Sequence, residues 1–332
     1  MFQKYLITGA TGFLGSTVVA QLLEKNADIF ALAMENDPLA NELPKEVHKV
    51  IGNVCEVTSL KAFFEKADNK TCVIHCAGIV SVASHPGDKV YQVNVNGTKN
   101  IVKFCLDYNI QKLVYVSSVH AIPEKPKGIT ITEDAKFDPE LVVGDYAKSK
   151  ALATAAVLKA VKQGLNASVV FPSGIIGPGD TTQGSVTNTL LSFMAGKLPI
   201  AMEGGYDFVD VRDVASGIIC CSHQGLPGHG YILSGEYATV KDILENVKEM
   251  FNLKYKVSYL PIRLAKIFAY IYEQWCLKMR KPLYFTPYAV TVLDSNSKFS
   301  YKAASDTFNY QPRSLKKTLY DTIQWLKDNK KS

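Results

Sequence analysis

The sequence predicts a doubly wound α/β fold: a parallel sheet covered by helices on both faces, with a smaller, mostly helical C-terminal region. Three observations predict it. The stretch Leu6-Ile7-Thr8-Gly9-Ala10-Thr11-Gly12-Phe13-Leu14-Gly15 runs from an apolar strand through a glycine-spaced turn into a helix. Strand-like and helical patterns then alternate through the first half of the chain. The strand-like runs are continuously apolar rather than alternating, as strands buried on both faces are.

The elements follow in order. Residues 5–7 form the first strand, and Leu14, Val18 and Leu22 share one face of the first helix. In the turn between them, Gly9 takes dihedrals that a Cβ resists. Gly12 leaves room for a phosphate to approach the backbone, and Gly15 lets helix and strand pack closely. The unpaired N–H groups and the positive end of the helix dipole face that phosphate. The spacing is G-x-x-G-x-x-G, not the commoner G-x-G-x-x-G of dinucleotide sites. Asn26 stands where a glycine usually ends a helix. Residues 29–33, 47–51 and 72–78 read as the next strands. Residues 92–108 read as a helix with Val95, Ile101, Val102 and Leu106 as its stripe. Residues 112–118 are a fifth strand, 146–163 an Ala-rich helix closed by Gly164, and 168–171 a sixth strand. Beyond Pro172 the character changes. Residues 173–180 read as a glycine-rich loop, 207–213 as a return to a strand-like pattern, and 237–251, 261–281 and 315–326 as helices. The expected division is a nucleotide-binding domain over 1–172, with a return segment near 207–222, and an interleaved substrate-binding region over 173–332. The second would close over the carboxyl edge of the sheet, where ligands bind in such sheets.

A chain of 332 residues buries a large core. Apolar content of 47% and charged content of 20% are ordinary for a soluble globular protein. The net charge of +6 is spread along the chain, and no basic run interleaved with aromatics marks a nucleic-acid groove. The seven cysteines sit mostly in apolar stretches, as small buried hydrophobes do. None has zinc-ligand spacing, so no metal is expected. This usage fits a reducing compartment, and the first strand begins almost at once, so a cytoplasmic protein without a signal peptide is expected. Residues 262–285 are apolar and aromatic, but Arg263, Lys266, Glu273, Lys278, Arg280 and Lys281 interrupt them. A span needs about 20 mostly apolar residues. An amphipathic helix is expected there, with attachment to a membrane surface the lesser reading.

Tyr146 and Lys150 stand four apart at the start of a helix, so phenol and ammonium project from one face. A phenol with a pKa of about 10 is a poor acid or base at neutral pH. A fixed positive charge nearby lowers that value. A tyrosine so tuned donates a proton to an alkoxide or takes one from an alcohol. Strand five ends in Ser117 and Ser118, the expected place for a hydroxyl that orients substrate beside Tyr146.

TGATGFLG, Gly52-Asn53-Val54, HCAG, VNVNGT, VSS, YAKSK, PSGIIGPGD and Asp210-x-x-Asp213 together resemble the extended short-chain dehydrogenase/reductases, the NAD-dependent epimerase/dehydratase superfamily. Within it the chain is most similar to the dihydroflavonol reductase and 3β-hydroxysteroid dehydrogenase branch, which residues 308–315 also resemble. The resemblance implies a Rossmann-type fold and an NAD(P)-dependent oxidoreductase interconverting a ketone or aldehyde and an alcohol. It implies that Tyr146 transfers the proton, that Ser118 holds the substrate oxygen, and that Lys150 tunes Tyr146 and holds the nicotinamide ribose. Ser117 would then pack near the cofactor. Asn94 would support the lysine, with Asn96 as the alternative. Gly9, Thr11, Gly12, Phe13 and Leu14 would surround the pyrophosphate. Asn53 and Val54 would lie at the adenine, Ala77 and Gly78 on the ribose side, Tyr146 and Lys150 at the nicotinamide ribose, and Pro172 and Ile175 beside the nicotinamide. Asn53 departs from the family's usual Asp, but its amide oxygen can still accept from an adenine amino group. A homodimer through the helices starting near Gln92 and Tyr146 is also implied.

A nucleotide-sugar epimerase is the second reading, and an NAD(P)-sensing protein without turnover the third. Val119 and His120 follow Ser118 where sugar dehydratases of the superfamily carry acids. Tyr206 precedes Asp207-Phe208 where epimerases often carry an Arg, and a phenol lacks the bidentate cationic contact a diphosphate needs. The second strand ends Ala33-Met34-Glu35-Asn36-Asp37, which holds two acids and no cation for a 2′-phosphate. NAD is therefore expected over NADP, with Lys45 the nearest downstream cation.

Overall fold

The structure, a computed structural model, describes residues 2–84, 87–279 and 285–329. Strands β1 (Lys4–Thr8), β2 (Asp28–Ala33), β3 (His48–Ile51), β4 (Thr71–His75), β5 (Lys112–Val116) and β6 (Ala167–Pro172) build one parallel sheet. Two small sheets use β7 (Gly174–Ile176), β8 (Ile200–Met202), β9 (Gly205–Asp210), β11 (Glu236–Thr239) and β12 (Ser258–Leu260). The remaining strand, β10 (Gly230–Leu233), joins the large sheet beside β6, giving the order β3-β2-β1-β4-β5-β6-β10. The order reverses between β1 and β4, and the crevice outside their carboxyl ends is where such sheets bind ligands.

Continuous apolarity has its reason in the layers. Leu6, Val73, Leu113 and Tyr115 face one core, and Tyr5, Ile7, Ile74 and Val114 the other. Helices α2 (Val57–Phe64), α4 (Thr98–Asp107) and α5 (Asp145–Val161) cover the first face through Phe63, Phe64, Ile101 and Val157. Helices α1 (Phe13–Leu23), α7 (Val211–Gln224) and α11 (Lys302–Phe308) cover the second through Val18, Leu22, Ile218 and Phe308. Asn26 does take the left-handed conformation, at φ 56°.

Several elements differ from the sequence reading. The helix expected over 92–108 is two pieces, a π turn over Gln92–Gly97 and then α4, and it is preceded by the short α3 (Asp88–Tyr91). Residues 174–176 of the expected glycine-rich loop form β7 because they pair with β9. The strand-like run of 207–213 stops at Asp210, whose carboxylate accepts the Arg212 N–H and starts α7. The helix expected over 237–251 is β11 followed by α8 (Val240–Met250). Thr239 and Asp242 form a capping box that fixes the helix start, and residues 236–239 pair with β9 instead. β10 is only four residues long and flanked by glycines, and no periodicity announced it. The C-terminal part adds α6 (Ser185–Met194), α9 (Ile262–Met279), α10 (Pro287–Asp294) and α12 (Leu315–Asn329). Arg280 and Lys281, at the end of the helix expected over 261–281, lie outside the described residues.

Candidate functional site

The glycine turn is set by backbone contact. Gly9 has φ 71°, and a Cβ there would lie 2.7 Å from the Ala77 nitrogen. At Gly15 a Cβ would meet the Gly9 carbonyl oxygen at 2.0 Å. At Gly12 the nearest atom would be that same oxygen at 3.4 Å, so this position is open. No side chain caps α1, leaving its first N–H groups at Phe13 and Leu14 beside this opening. The cradle thus fits a phosphate-bearing cofactor. Thr11, in the same turn, donates its hydroxyl to Asp37 Oδ2 at 2.6 Å. Asp37 also accepts the Leu39 N–H, so both carboxylate oxygens have partners.

The next layer is a hydrogen-bond relay that the sequence reading missed. Thr98 Oγ1 donates to the Asn94 carbonyl at 2.7 Å and therefore accepts from His75 Nε2 at 3.0 Å. That leaves His75 Nδ1 to accept from Thr8 Oγ1 at 2.6 Å, and Thr8 in turn accepts the Ala77 N–H at 3.3 Å. Burial drives the His75 pKa down to about 3, which keeps the ring in the neutral form this relay needs. The relay fixes the backbone of Ala77 on one side and Asn94 on the other.

Asn94 lies in the π turn and is buried, whereas Asn96 is exposed. Asn94 Oδ1 accepts the Ile79 N–H at 2.8 Å, and its Nδ2 donates to the Ile79 carbonyl and to Ser149 Oγ, each at 3.0 Å. Ser149, also not singled out from sequence, donates to the Tyr146 carbonyl at 2.7 Å. A Cβ on Gly78 would lie 3.2 Å from Asn94 Oδ1 and 3.4 Å from Lys150 Nζ, so these three positions converge.

The Ser117 hydroxyl pairs with Thr154 Oγ1 at 2.7 Å, and both are buried. Ser118 lies beside Tyr146 and accepts the His120 N–H at 3.3 Å. The tuning of Tyr146 differs from expectation. Burial pushes its phenol up to about 12, with the Ser118 hydroxyl pulling the other way. Lys150 donates to the Val116 carbonyl at 2.9 Å and lies over the Tyr115 ring at 5.3 Å. Burial brings the Lys150 pKa down to about 8.

A cluster of rings surrounds His120 beside Tyr146. The His120 and Tyr206 rings stack at 5.7 Å, and the Tyr206 hydroxyl bonds His120 Nε2 at 3.1 Å. The Tyr146 ring stands edge-on to His120 at 5.7 Å, and Tyr288 lies 6.3 Å away. Tyr288, from α10, packs against Gly144, where a Cβ would meet its ring at 2.3 Å. A cavity of about 80 Å³ adjoins His120, lined mostly by apolar residues such as Val119, Ile122, Ile131, Val142 and Phe299, with Glu124, Thr291, Ser295 and Asn296 as polar members.

Asn53 Oδ1 accepts the Cys55 N–H at 3.0 Å and its Nδ2 donates to Glu56 at 3.2 Å, which leaves the second lone pair of Oδ1 for a further donor. Val54 is buried, and its side chain fills the space a Cβ on Gly97 would need. Pro172 ends β6 opposite Leu233, and Ile175 stands half-buried in β7. Between them Ser173 donates to Asp207 Oδ1 at 2.5 Å, and burial holds the Asp207 carboxyl up at about 6.

The chain is 25% identical over 326 residues to sterol demethylase protein B of Methylococcus capsulatus, covering 97% of this chain and 98% of that one. It is 28% identical to 3 beta-hydroxysteroid dehydrogenase type 7 of Mus musculus, covering 97% and 95%. The solved structure of gox2253 is similar at a TM-score of 0.85 and 26% identity, covering 98% of both chains. Residues 5–233, most of the chain and all of the glycine turn, tyrosine helix and parallel sheet described above, match the NAD dependent epimerase/dehydratase family, and the chain belongs to it.

Proposed function

We propose that the protein is an NAD(P)-linked oxidoreductase that interconverts a ketone or aldehyde and an alcohol, with Tyr146 as proton donor and acceptor. The observation that carries this reading is the gathering of Ser118, Tyr146 and Lys150 at the carboxyl end of the sheet, against the open glycine cradle. Backbone N–H groups at Phe13 and Leu14 would hold the pyrophosphate, and Lys150 with Tyr146 the nicotinamide ribose. A bound nicotinamide supplies the hydride acceptor or donor.

The chain's own residues do the rest. With its phenol up at about 12, Tyr146 is protonated at neutral pH and stands ready to give its proton to an oxygen held by Ser118. Lys150, which retains most of its charge at neutral pH, favours the phenolate left behind. Asn94 and Ser149 position the backbone that carries Tyr146. The apolar lining beside His120 favours an alcohol carried on an apolar frame, in keeping with the hydroxysteroid dehydrogenase among the relatives. Two observations weigh against a sugar-nucleotide substrate. Tyr206 is buried and bonded to His120, and no acid follows Ser118.

The test is a panel of apolar ketones and secondary alcohols assayed with both nicotinamide cofactors, beside calorimetry with UDP-glucose. Turnover of a panel member with no binding of UDP-glucose is expected. Micromolar binding of UDP-glucose would reverse the ranking. Tight cofactor binding with no turnover on any member would favour a sensing protein.

A further inference from the structure

Helix α9 is amphipathic in the opposite sense from a core helix. It packs on the protein through Ala265, Ala269 and Cys276, all fully buried, and through Glu273. Its large side chains therefore point away. Leu264, Ile267, Phe268, Ile271, Trp275 and Met279 fall at spacings of three and four, which is a single stripe down the helix. Ile267, Phe268 and Ile271 are 59%, 55% and 58% exposed. The helix of 18 residues is about 27 Å long, and the stripe runs nearly its full length. A contiguous apolar surface of that kind marks a docking site rather than a scatter of exposed side chains.

Charge decides what docks. Arg263, Lys266 and Lys278 lie along this helix, with Arg263 at the edge of the stripe and Lys278 at its C-terminal end. The helix carries one acid, Glu273, and it faces inward. Its two carboxylate oxygens accept the Ser84 N–H at 3.0 Å and the Ser84 hydroxyl at 2.9 Å. Lys266 shares Asp294 with Lys127, so that acid is already outnumbered. A second copy docking by the same stripe would bring basic margin against basic margin, a like-charge cost at the edge of a desolvated contact. An anionic lipid surface meets both features: acyl chains take the stripe and headgroups take the cations. Among the described residues no helix is long and apolar enough to cross a membrane, so the fit is to a helix lying in the surface plane.

We propose that α9 docks the protein on an anionic bilayer surface, with Leu264, Ile267, Phe268, Ile271 and Trp275 entering the boundary between headgroups and acyl chains. The sequence reading had made surface attachment the lesser possibility; the outward direction of the stripe reverses that order. The opposite, inward face of α9 connects the helix to the site. Glu273 holds Ser84, the Thr286 hydroxyl that caps α10 donates to the Val82 carbonyl, and the same loop begins at Ile79, which is paired with Asn94.

The experiment is flotation of the full chain with vesicles of equal parts phosphatidylcholine and phosphatidylserine, and with phosphatidylcholine vesicles alone. The triple variant I267S/F268S/I271S alters only exposed side chains of the outward stripe, so its melting temperature should match the wild type. The wild type is expected to float with the anionic vesicles, and the triple variant to bind them roughly tenfold or more less tightly. R263E/K278E is expected to abolish the preference for anionic over neutral vesicles. Three results would each overturn the proposal: no flotation of the wild type at low salt, equal flotation of the triple variant, or a wild-type dimer in solution that the triple variant converts to a monomer.

Discussion

The relay through His75 makes a prediction whose size follows from burial. In the folded protein His75 is fully buried between Thr8 and Thr98, and its pKa is driven down to about 3 by desolvation. In the unfolded chain it returns to about 6.5. Between those two values the unfolded state binds a proton that the native state does not, so stability falls as pH falls. The loss begins below about pH 6.5 and levels off below the folded value, at about 1.4 kcal/mol per pH unit in between. At pH 5 it amounts to about 2 kcal/mol relative to pH 7. Other buried groups titrate in the same range. Asp207, held up at about 6, binds its proton more readily when folded and offsets part of the slope. The contribution of His75 is isolated by a difference. Urea unfolding of the wild type and of His75→Gln is measured at pH 7 and pH 5. At pH 7 the variant is expected to be less stable by about 1–3 kcal/mol, because one end of the relay loses its partner. Between pH 7 and pH 5 the wild type is expected to lose about 2 kcal/mol more than the variant does. Parallel losses in the two proteins would show that His75 does not carry a suppressed titration, and the neutral-ring relay would fall with it.

Three further outcomes are expected. Tyr146→Phe keeps the ring and removes the proton donor, so turnover should drop by ~10²–10⁴-fold with cofactor affinity little changed; near-full activity in single-turnover measurements would remove the mechanism. Burial brings Lys150 down to about 8, so reductive kcat/KM should fall as pH rises through that value, and Lys150→Arg, which stays charged, should flatten the profile; an unchanged profile in the variant would point to another group. Asp37, already bonded to Thr11 and to Leu39 N–H, leaves an uncompensated acid where a 2′-phosphate would need a cation, so NADH should give the higher kcat/KM. Met34→Arg should shift the ratio towards NADPH by roughly tenfold or more; a wild-type enzyme that strongly favours NADPH would contradict this.

The parts of the site that the sequence displayed are those set by contacts a few residues apart. Gly9 and Gly15 constrain each other through one carbonyl oxygen, and Tyr146 and Lys150 share a helix face. Both leave a fixed spacing in the chain. The relay leaves none, because His75 finds Thr8 and Thr98 at separations of 67 and 23 residues, across a strand pair and onto a helix. Tyr288 reaches the rings around Tyr146 from the far end of the chain, and a lone tyrosine in an apolar segment says nothing of its destination. The π turn at Asn94 is likewise invisible to a periodicity of 3.6, which sees a continuous stripe over 92–108 and misses the extra residue.

Two further gaps have one physical origin: sequence patterns carry the sign of a local preference but not the environment it meets. The stripe on α9 is plain in the residues, and the usual rule turns such a stripe inward. It points outward because a second, less conspicuous set, Ala265, Ala269 and Cys276, is small enough to let the helix lie close against the body while Glu273 reaches Ser84. The pairing of Tyr146 with Lys150 was equally plain, and a neighbouring cation does favour phenolate. Both groups are buried, however, and burial opposes charge on each: the phenol rises to about 12 while the ammonium falls to about 8. With the phenol this buried, the proton stays on the tyrosine at neutral pH. A phenol at its ordinary pKa of about 10 is already protonated at neutral pH, so burial, which the spacing of Tyr146 and Lys150 cannot express, leaves the starting form unchanged and makes the phenolate costlier; in the proposed mechanism a charged Lys150 offsets that cost.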